Sequence, residues 1–203
     1  MRLYYSPGAC SLAPQIVLRE LGRNFEIVKV DIRNKTTETG GDYTQINPKG
    51  YVPALKLDDG EMLTENAVIL QWLADSAPEK KLFPKLGTME RYHAMEWLNF
   101  IATELHKGFG TLFNPALGDE GRRAVIERLQ LRLKYFNEHM ATNQFVLGAE
   151  FSIADAYAYN VLRWATPLKV DISGYAAILG FMERVAGRPA VRMAVDVESG
   201  GKA

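Results

Sequence analysis

The stretch Arg2-Leu3-Tyr4-Tyr5-Ser6-Pro7-Gly8-Ala9-Cys10-Ser11-Leu12-Ala13-Pro14-Gln15-Ile16-Val17-Leu18-Arg19-Glu20-Leu21-Gly22 decides how the chain is read. Leu3-Tyr4-Tyr5 is short, aromatic and apolar, as a buried strand is. Ser6-Pro7-Gly8-Ala9 is turn chemistry, since proline restricts φ and glycine frees it. Leu12, Ile16, Val17 and Leu21 recur at helical spacing, and Gly22 stands where a helix stops. The segment therefore reads strand, turn, helix, with Cys10 and Ser11 where the helix begins. The first N–H groups of a helix lack intrahelical partners and carry the positive end of its dipole. A thiolate at that point is stabilised, whether it belongs to Cys10 or to a bound ligand. Taken alone, a single cysteine is more often a small buried apolar residue; its position is what points to chemistry.

Outward from this stretch, Phe25 to Ile32 alternates and is rich in β-branched residues, which predicts a second strand. Strand, helix and strand in so short a span make a βαβ unit with parallel strands. Residues 33–50 are polar and predict a loop with one short helix near Tyr43. Val52 to Leu57 reads as a strand, Asp58-Asp59-Gly60 as a hairpin turn and Glu61 to Thr64 as the return strand. Pro53 donates no ladder hydrogen bond, so that position needs an edge or a bend. Glu65 and Asn66 open an apolar helix, as capping residues commonly do.

This order predicts a thioredoxin-like α/β domain over residues 1–77, a linker over 78–88 and an all-helical domain over 89–203. In the second half, residues 89–112 read as one long helix and 123–140 as another. Ser152 with Asp155 resembles a capping box. Pro167 ends a third helical run, and residues 175–186 form the next, ended by Gly187-Arg188-Pro189. The tail from Ser199 is expected to fray.

The chain has 203 residues, 47% of them hydrophobic and 24% charged, with a formal net charge of zero. That composition is globular, and no basic excess argues for nucleic acid. No apolar run approaches the roughly 20 residues of a membrane span. One cysteine allows no intrachain disulfide and suits a reducing compartment, and the start lacks the pattern of a signal peptide, so a cytoplasmic location is expected. His93, His106 and His139 lack metal-ligand spacing, and no metal is expected.

Four segments together resemble one family. They are Leu3 to Leu12, Asn47-Pro48-Lys49-Gly50-Tyr51-Val52-Pro53-Ala54-Leu55, Leu63-Thr64-Glu65-Asn66, and the Gly148 to Asp155 run Gly-x-x-Phe-Ser-Ile-Ala-Asp. They are similar to glutathione S-transferases, and more narrowly to the bacterial Beta class. The resemblance implies glutathione as co-substrate and no metal. It matches Cys10 to the cysteine beside the glutathione sulfur, and Tyr5 and Ser11 to positions that hold an activating hydroxyl in other classes. It matches Val52, followed by a cis Pro53, to the residue whose backbone pairs with the cysteinyl unit. Glu65 and Asn66 match the pair holding the γ-glutamyl end, and Lys35 a basic partner of the glycyl carboxylate.

Asn99, Thr103 and His106 fall on one helical face, with Lys107 next. The resemblance puts His106 near the sulfur, with Lys107 and Asn99 close by. Tyr5, Phe109, Phe113 and Trp164 are candidate walls of an apolar cleft for the electrophile. The implied activity is conjugation of glutathione to small electrophiles, with a homodimer as the expected assembly. Two other readings remain: glutathione-dependent thiol–disulfide exchange or peroxidase chemistry through Cys10, and a non-catalytic ligand binder on the same fold.

Overall fold

The computed structural model describes residues 1–200, and the chain divides into two compact units. The first comprises Met1–Lys80 together with the C-terminal segment from Arg188, and the second Lys81–Gly187. Residues 201–203 of the expected tail lie outside the described residues.

In the first unit, β1 (Arg2–Tyr5), α1 (Leu12–Glu20) and β2 (Glu26–Asp31) form the expected βαβ unit, with β1 parallel to β2. β3 (Thr36–Thr37) pairs antiparallel with β2. A 3₁₀ turn at Tyr43–Gln45 is the short helix expected near Tyr43. β4 (Ala54–Lys56) and β5 (Met62–Thr64) make the hairpin, and β4 runs antiparallel to β1. The five strands lie in the order β3-β2-β1-β4-β5, which is a thioredoxin-like mixed sheet. The sheet centre is buried because Leu3, Leu55 and Ala54 have no exposed surface. α2 (Asn66–Asp75) and α1 pack together.

β3 falls in a stretch whose sequence reads as loop. Two residues carry no alternation of their own; they are a strand because β2 offers an edge to pair with. The organisation also differs from the expected helical run over 89–203. The last helix, α8 (Pro189–Glu198), packs on α1 and joins the first unit. Its buried Ala190, Val191, Ala194 and Val197 form one stripe. Arg188, just before it, donates to both carboxylate oxygens of Glu20 on α1 at 2.6 and 2.9 Å.

The second unit is helical. Residues 89–112, expected as one helix, break into α3 (Met89–Phe100), a π-helical turn (Ile101–His106) and a short α4 (Lys107–Thr111). α5 (Asp119–Met140), α6 (Ile153–Leu162) and α7 (Ala176–Ala186) complete it. Every residue of α6 is buried, which makes it the central helix of the unit. Phe136 of α5 meets Phe181 of α7 edge-on, with ring centres 5.9 Å apart.

Candidate active site

The turn after β1 is built on its own backbone. Gly8 has φ +75°, where a side chain would be strained. The Ala9 N–H donates to the Ser6 carbonyl at 3.0 Å. Ser11 stands just before α1 and is fully buried. Its hydroxyl accepts from the Ser6 N–H at 3.1 Å and donates to the Ser6 carbonyl at 3.3 Å. These contacts place the Ser11 hydroxyl, expected as an activating group, inside the turn. Tyr5 is 8% exposed. Burial first, then the charges of Glu38 and Glu198, hold its phenol above the ordinary range, so it stays protonated.

Cys10 is half-buried between the turn and α1. Its thiol donates to the Val52 carbonyl at 3.3 Å. Its own carbonyl accepts from Asn66 Nδ2 at 2.9 Å. Asn66 is 6% exposed, and its Oδ1 is buried. The carboxamide, where the resemblance expects a contact to the γ-glutamyl end, ties the start of α2 to the Cys10 turn through Nδ2.

The loop before β4 is held from beneath. Tyr43 Oη and Asn47 Nδ2 both donate to the Tyr51 carbonyl at 2.8 Å. The Val52–Pro53 bond is cis, as the resemblance implies, and both residues are buried. Lys35, at φ +56°, donates from Nζ to the Gly50 carbonyl at 2.9 Å. Glu65 stands at φ +69° and ψ 119°, a backbone region that strains a residue with a side chain. Its carbonyl accepts from the Val68 and Ile69 N–H groups at 3.0 and 2.9 Å and starts α2. Its exposed carboxylate meets Lys49 Nζ at 2.6 Å, and the same nitrogen donates to Thr64 Oγ1 at 3.1 Å. An open groove of about 530 Å³ beside β2 and β3 is lined by Ser6, Asp31, Arg33 and Glu38 among others, and none of the sequence-predicted residues lines it.

In the helical unit the π turn alters the face expected from α-helical spacing. Asn99 and Thr103 are exposed, and Thr103 Oγ1 donates back to the Asn99 carbonyl at 3.0 Å. His106 ends the wide turn, half-buried, with Nδ1 2.6 Å from the Tyr157 hydroxyl. Its ring also meets Trp164 edge-on with centres 5.0 Å apart, and Phe113 meets Trp164 at 5.4 Å. Lys107 is exposed beside it. Glu104, on the same turn, is bound by Arg132 Nε at 2.6 Å, and that bond, helped by Arg128, holds its carboxyl below the usual range.

Phe109 has no exposed surface, which corrects its expected place as a wall: it fills the helical core. Trp164 is 7% and Phe113 51% exposed, so of these two it is Phe113 that has surface to offer a ligand. Sequence reasoning missed Tyr157. Its signal was spacing, since Tyr157 on α6 and Trp164 on the 3₁₀ turn that follows it stand seven residues apart, near two helical turns.

The first unit thus presents a thiol at a helix start, an exposed pair of opposite charges at Lys49 and Glu65, and a second helix start beside them. Among the described residues, no group of three or more potential metal ligands is present. No helix among them is long and apolar enough to cross a membrane.

Family models described as the N-terminal and C-terminal domains of glutathione S-transferase match residues 8–76 and 100–189. Glutathione S-transferase GstA of Escherichia coli O157:H7 is 48% identical over 198 residues, covering 98% of each chain. A sphingomonad glutathione S-transferase, solved in complex with glutathione, is 43% identical with a TM-score of 0.95 and covers 98% of this chain and 99% of its own. A bacterial beta class glutathione S-transferase of Sphingomonas chungbukensis is 42% identical with a TM-score of 0.94, covering 98% of each.

Proposed function

The chain belongs to the glutathione S-transferase family, and from that premise we propose that it binds reduced glutathione around Cys10 and joins the glutathione sulfur to a carbon of small, largely apolar electrophiles. One observation carries this reading. Cys10 is bracketed by the Val52 carbonyl and by Asn66, two segments that the family resemblance matches to glutathione contacts. The first unit, residues 1–77 in the sequence reading, then holds the tripeptide, and the helical residues from 89 onward meet the electrophile.

The chemistry of the tripeptide fits the residues. Its γ-glutamyl end carries both an ammonium and a carboxylate. The exposed Glu65–Lys49 pair offers one charge to each, and the first N–H groups of α2 favour the carboxylate. Lys35, beside Gly50, is the cation for the glycyl carboxylate. The Val52 backbone pairs with the cysteinyl unit. The thiol is only a few per cent ionised at neutral pH when free. The start of α1 favours the thiolate, and the family resemblance assigns it a hydrogen bond from His106, with Cys10, Lys107, Asn99 and Thr103 as further polar residues of the glutathione site. The thiolate attacks, a sulfur–carbon bond forms, and the leaving group departs with its bonding electrons. Phe113 offers aromatic surface for the electrophile, backed by the buried Trp164 ring.

A homodimer belongs to the same reading. α3 exposes Met89, Tyr92 and Met95 at 63%, 55% and 41%, and the first unit exposes Tyr51 at 68%. Exposed apolar surface of this kind favours cover by a second copy; sedimentation as a ~23 kDa species at micromolar concentration would count against it. The single free cysteine agrees with a reducing, cytoplasmic setting.

Calorimetric titration with reduced glutathione tests the binding reading. Saturable heat is expected, and Glu65→Gln is expected to weaken binding by about tenfold, the worth of one charge-assisted hydrogen bond. No heat at several temperatures, with no conjugation of chlorodinitrobenzene, overturns it.

A further inference from the structure

The His106 ring is held on two sides by α6 and the turn that follows it. Nδ1 lies 2.6 Å from the Tyr157 hydroxyl, and the two rings meet edge-on at 90°. Trp164 closes a second edge at 69°. Tyr157 is 2% exposed on a helix whose ten residues are all buried. Its hydroxyl therefore has little freedom to move away from the imidazole.

The polarity of this bond follows from acid–base chemistry. A phenol O–H is a stronger acid than a neutral imidazole N–H, and the bare imidazole nitrogen is the stronger acceptor. That ordering favours the neutral pair in which the tyrosine donates and Nδ1 accepts. The single ring proton then resides on Nε2.

We propose that Tyr157 is a positioning residue that holds His106 in its Nε2–H tautomer, so that His106 serves as a hydrogen-bond donor to sulfur and not as the base that removes the thiol proton. The proposal rests on the assignment of His106 to the glutathione sulfur made above. A ring already protonated at Nε2 has no lone pair there to receive a proton. The thiol proton leaves to solvent, and the Nε2–H stabilises the anion left behind. The π turn ends on His106 and packs against α6, on which Tyr157 stands.

Long-range proton–nitrogen correlation on the full-length, nitrogen-15 histidine-labelled protein at neutral pH reads the tautomer directly, with His106→Asn assigning the signals. The wild type is expected to show the Nε2–H pattern at His106; an Nδ1–H pattern or an even mixture overturns the proposal. Tyr157→Phe is expected to convert His106 to a mixture and to lower kcat for chlorodinitrobenzene roughly threefold to tenfold, the worth of one neutral hydrogen bond. KM for glutathione is expected to change by less than about twofold, because the interaction acts on the thiolate and not on the bound tripeptide. An unchanged tautomer in Tyr157→Phe overturns the proposal even if activity falls. If that variant does not fold, the wild-type pattern alone decides. Failure of the transferase reading would show separately, as absent conjugation by a wild type whose tautomer is still measurable.

Discussion

Two helix starts in this molecule use similar materials and end differently. Before α1, Ser11 and Cys10 close a turn of which the thiol remains half-buried. Before α6, Ser152 and Asp155 close a turn that is sealed. Asp155 has no exposed surface, and it accepts from the Val146 N–H at 2.6 Å and from the Ser152 N–H and hydroxyl at 2.7 Å each. In both, a side chain satisfies backbone N–H groups of the turn, that of Ser6 by the Ser11 hydroxyl and those of Val146 and Ser152 by the Asp155 carboxylate. The α6 turn commits every group inward and serves stability. The α1 turn commits its serine inward and leaves its sulfur in reach, so the same local physics supports a reactive position. A serine at a helix start marks a well-made turn; only what stands beside it, and how exposed it is, marks a site.

That contrast can be broken by substitution. Asp155→Ala strips acceptors from three donors inside the core and is expected to destabilise by about 4 kcal/mol, read by urea unfolding. A loss under 1 kcal/mol would mean the sealed turn is not structural. Ser11→Ala leaves the Ser6 N–H without its acceptor and is expected to cost about 1.5 kcal/mol. Cys10→Ala is expected to cost less than about 1 kcal/mol, since the thiol contributes one weak hydrogen bond. Its diagnostic effect is on chemistry instead. Conjugation that persists in Cys10→Ala places the reacting sulfur on glutathione, whereas thiol–disulfide exchange through Cys10 would vanish.

The pH response sharpens the comparison by a smaller amount. Burial pushes the Asp155 carboxyl up to about 6 from 3.8, against hydrogen bonds from Val146, Ser152 and its own backbone that pull it down. A proton held more tightly in the folded chain stabilises the fold at low pH, and that contribution is lost as pH rises from about 4 to about 6. The stability of wild type relative to Asp155→Asn is therefore expected to be higher at pH 5 than at pH 7 by on the order of 1 kcal/mol. A difference of the opposite sign would mean that the hydrogen bonds outweigh burial.

Much of the fold was legible where the signal is local. The strand Leu3–Tyr5, the turn at Gly8 and the apolar stripe Leu12-Ile16-Val17 need only periodicity and turn chemistry, and β1, α1 and β2 stand where they predict. The Ser152–Asp155 cap was legible for the same reason. α8 was passed over although Ala190, Val191, Ala194 and Val197 sit at helical spacing, because Pro189 reads as a stop when it is here the first helical residue. The π turn was not legible at all: residues 89–112 carry an ordinary helical pattern, and the wide turn lies where the chain packs against α6 and α5.

The sequence by itself determined which residues could do chemistry: a thiol at a helix start, a carboxylate and an amide at another, and a histidine among polar neighbours. Only the tertiary structure decided what each does. Asn66 bonds Cys10 from 56 residues away, and His106 finds Tyr157 from 51 away. Phe109 and Ser11, both plausible at a site, are spent on core and turn. The reason is the range of the forces. Periodicity and capping act over one or two turns of chain, whereas a side chain's partner and exposure depend on where distant segments cross, and that is set by how whole elements pack.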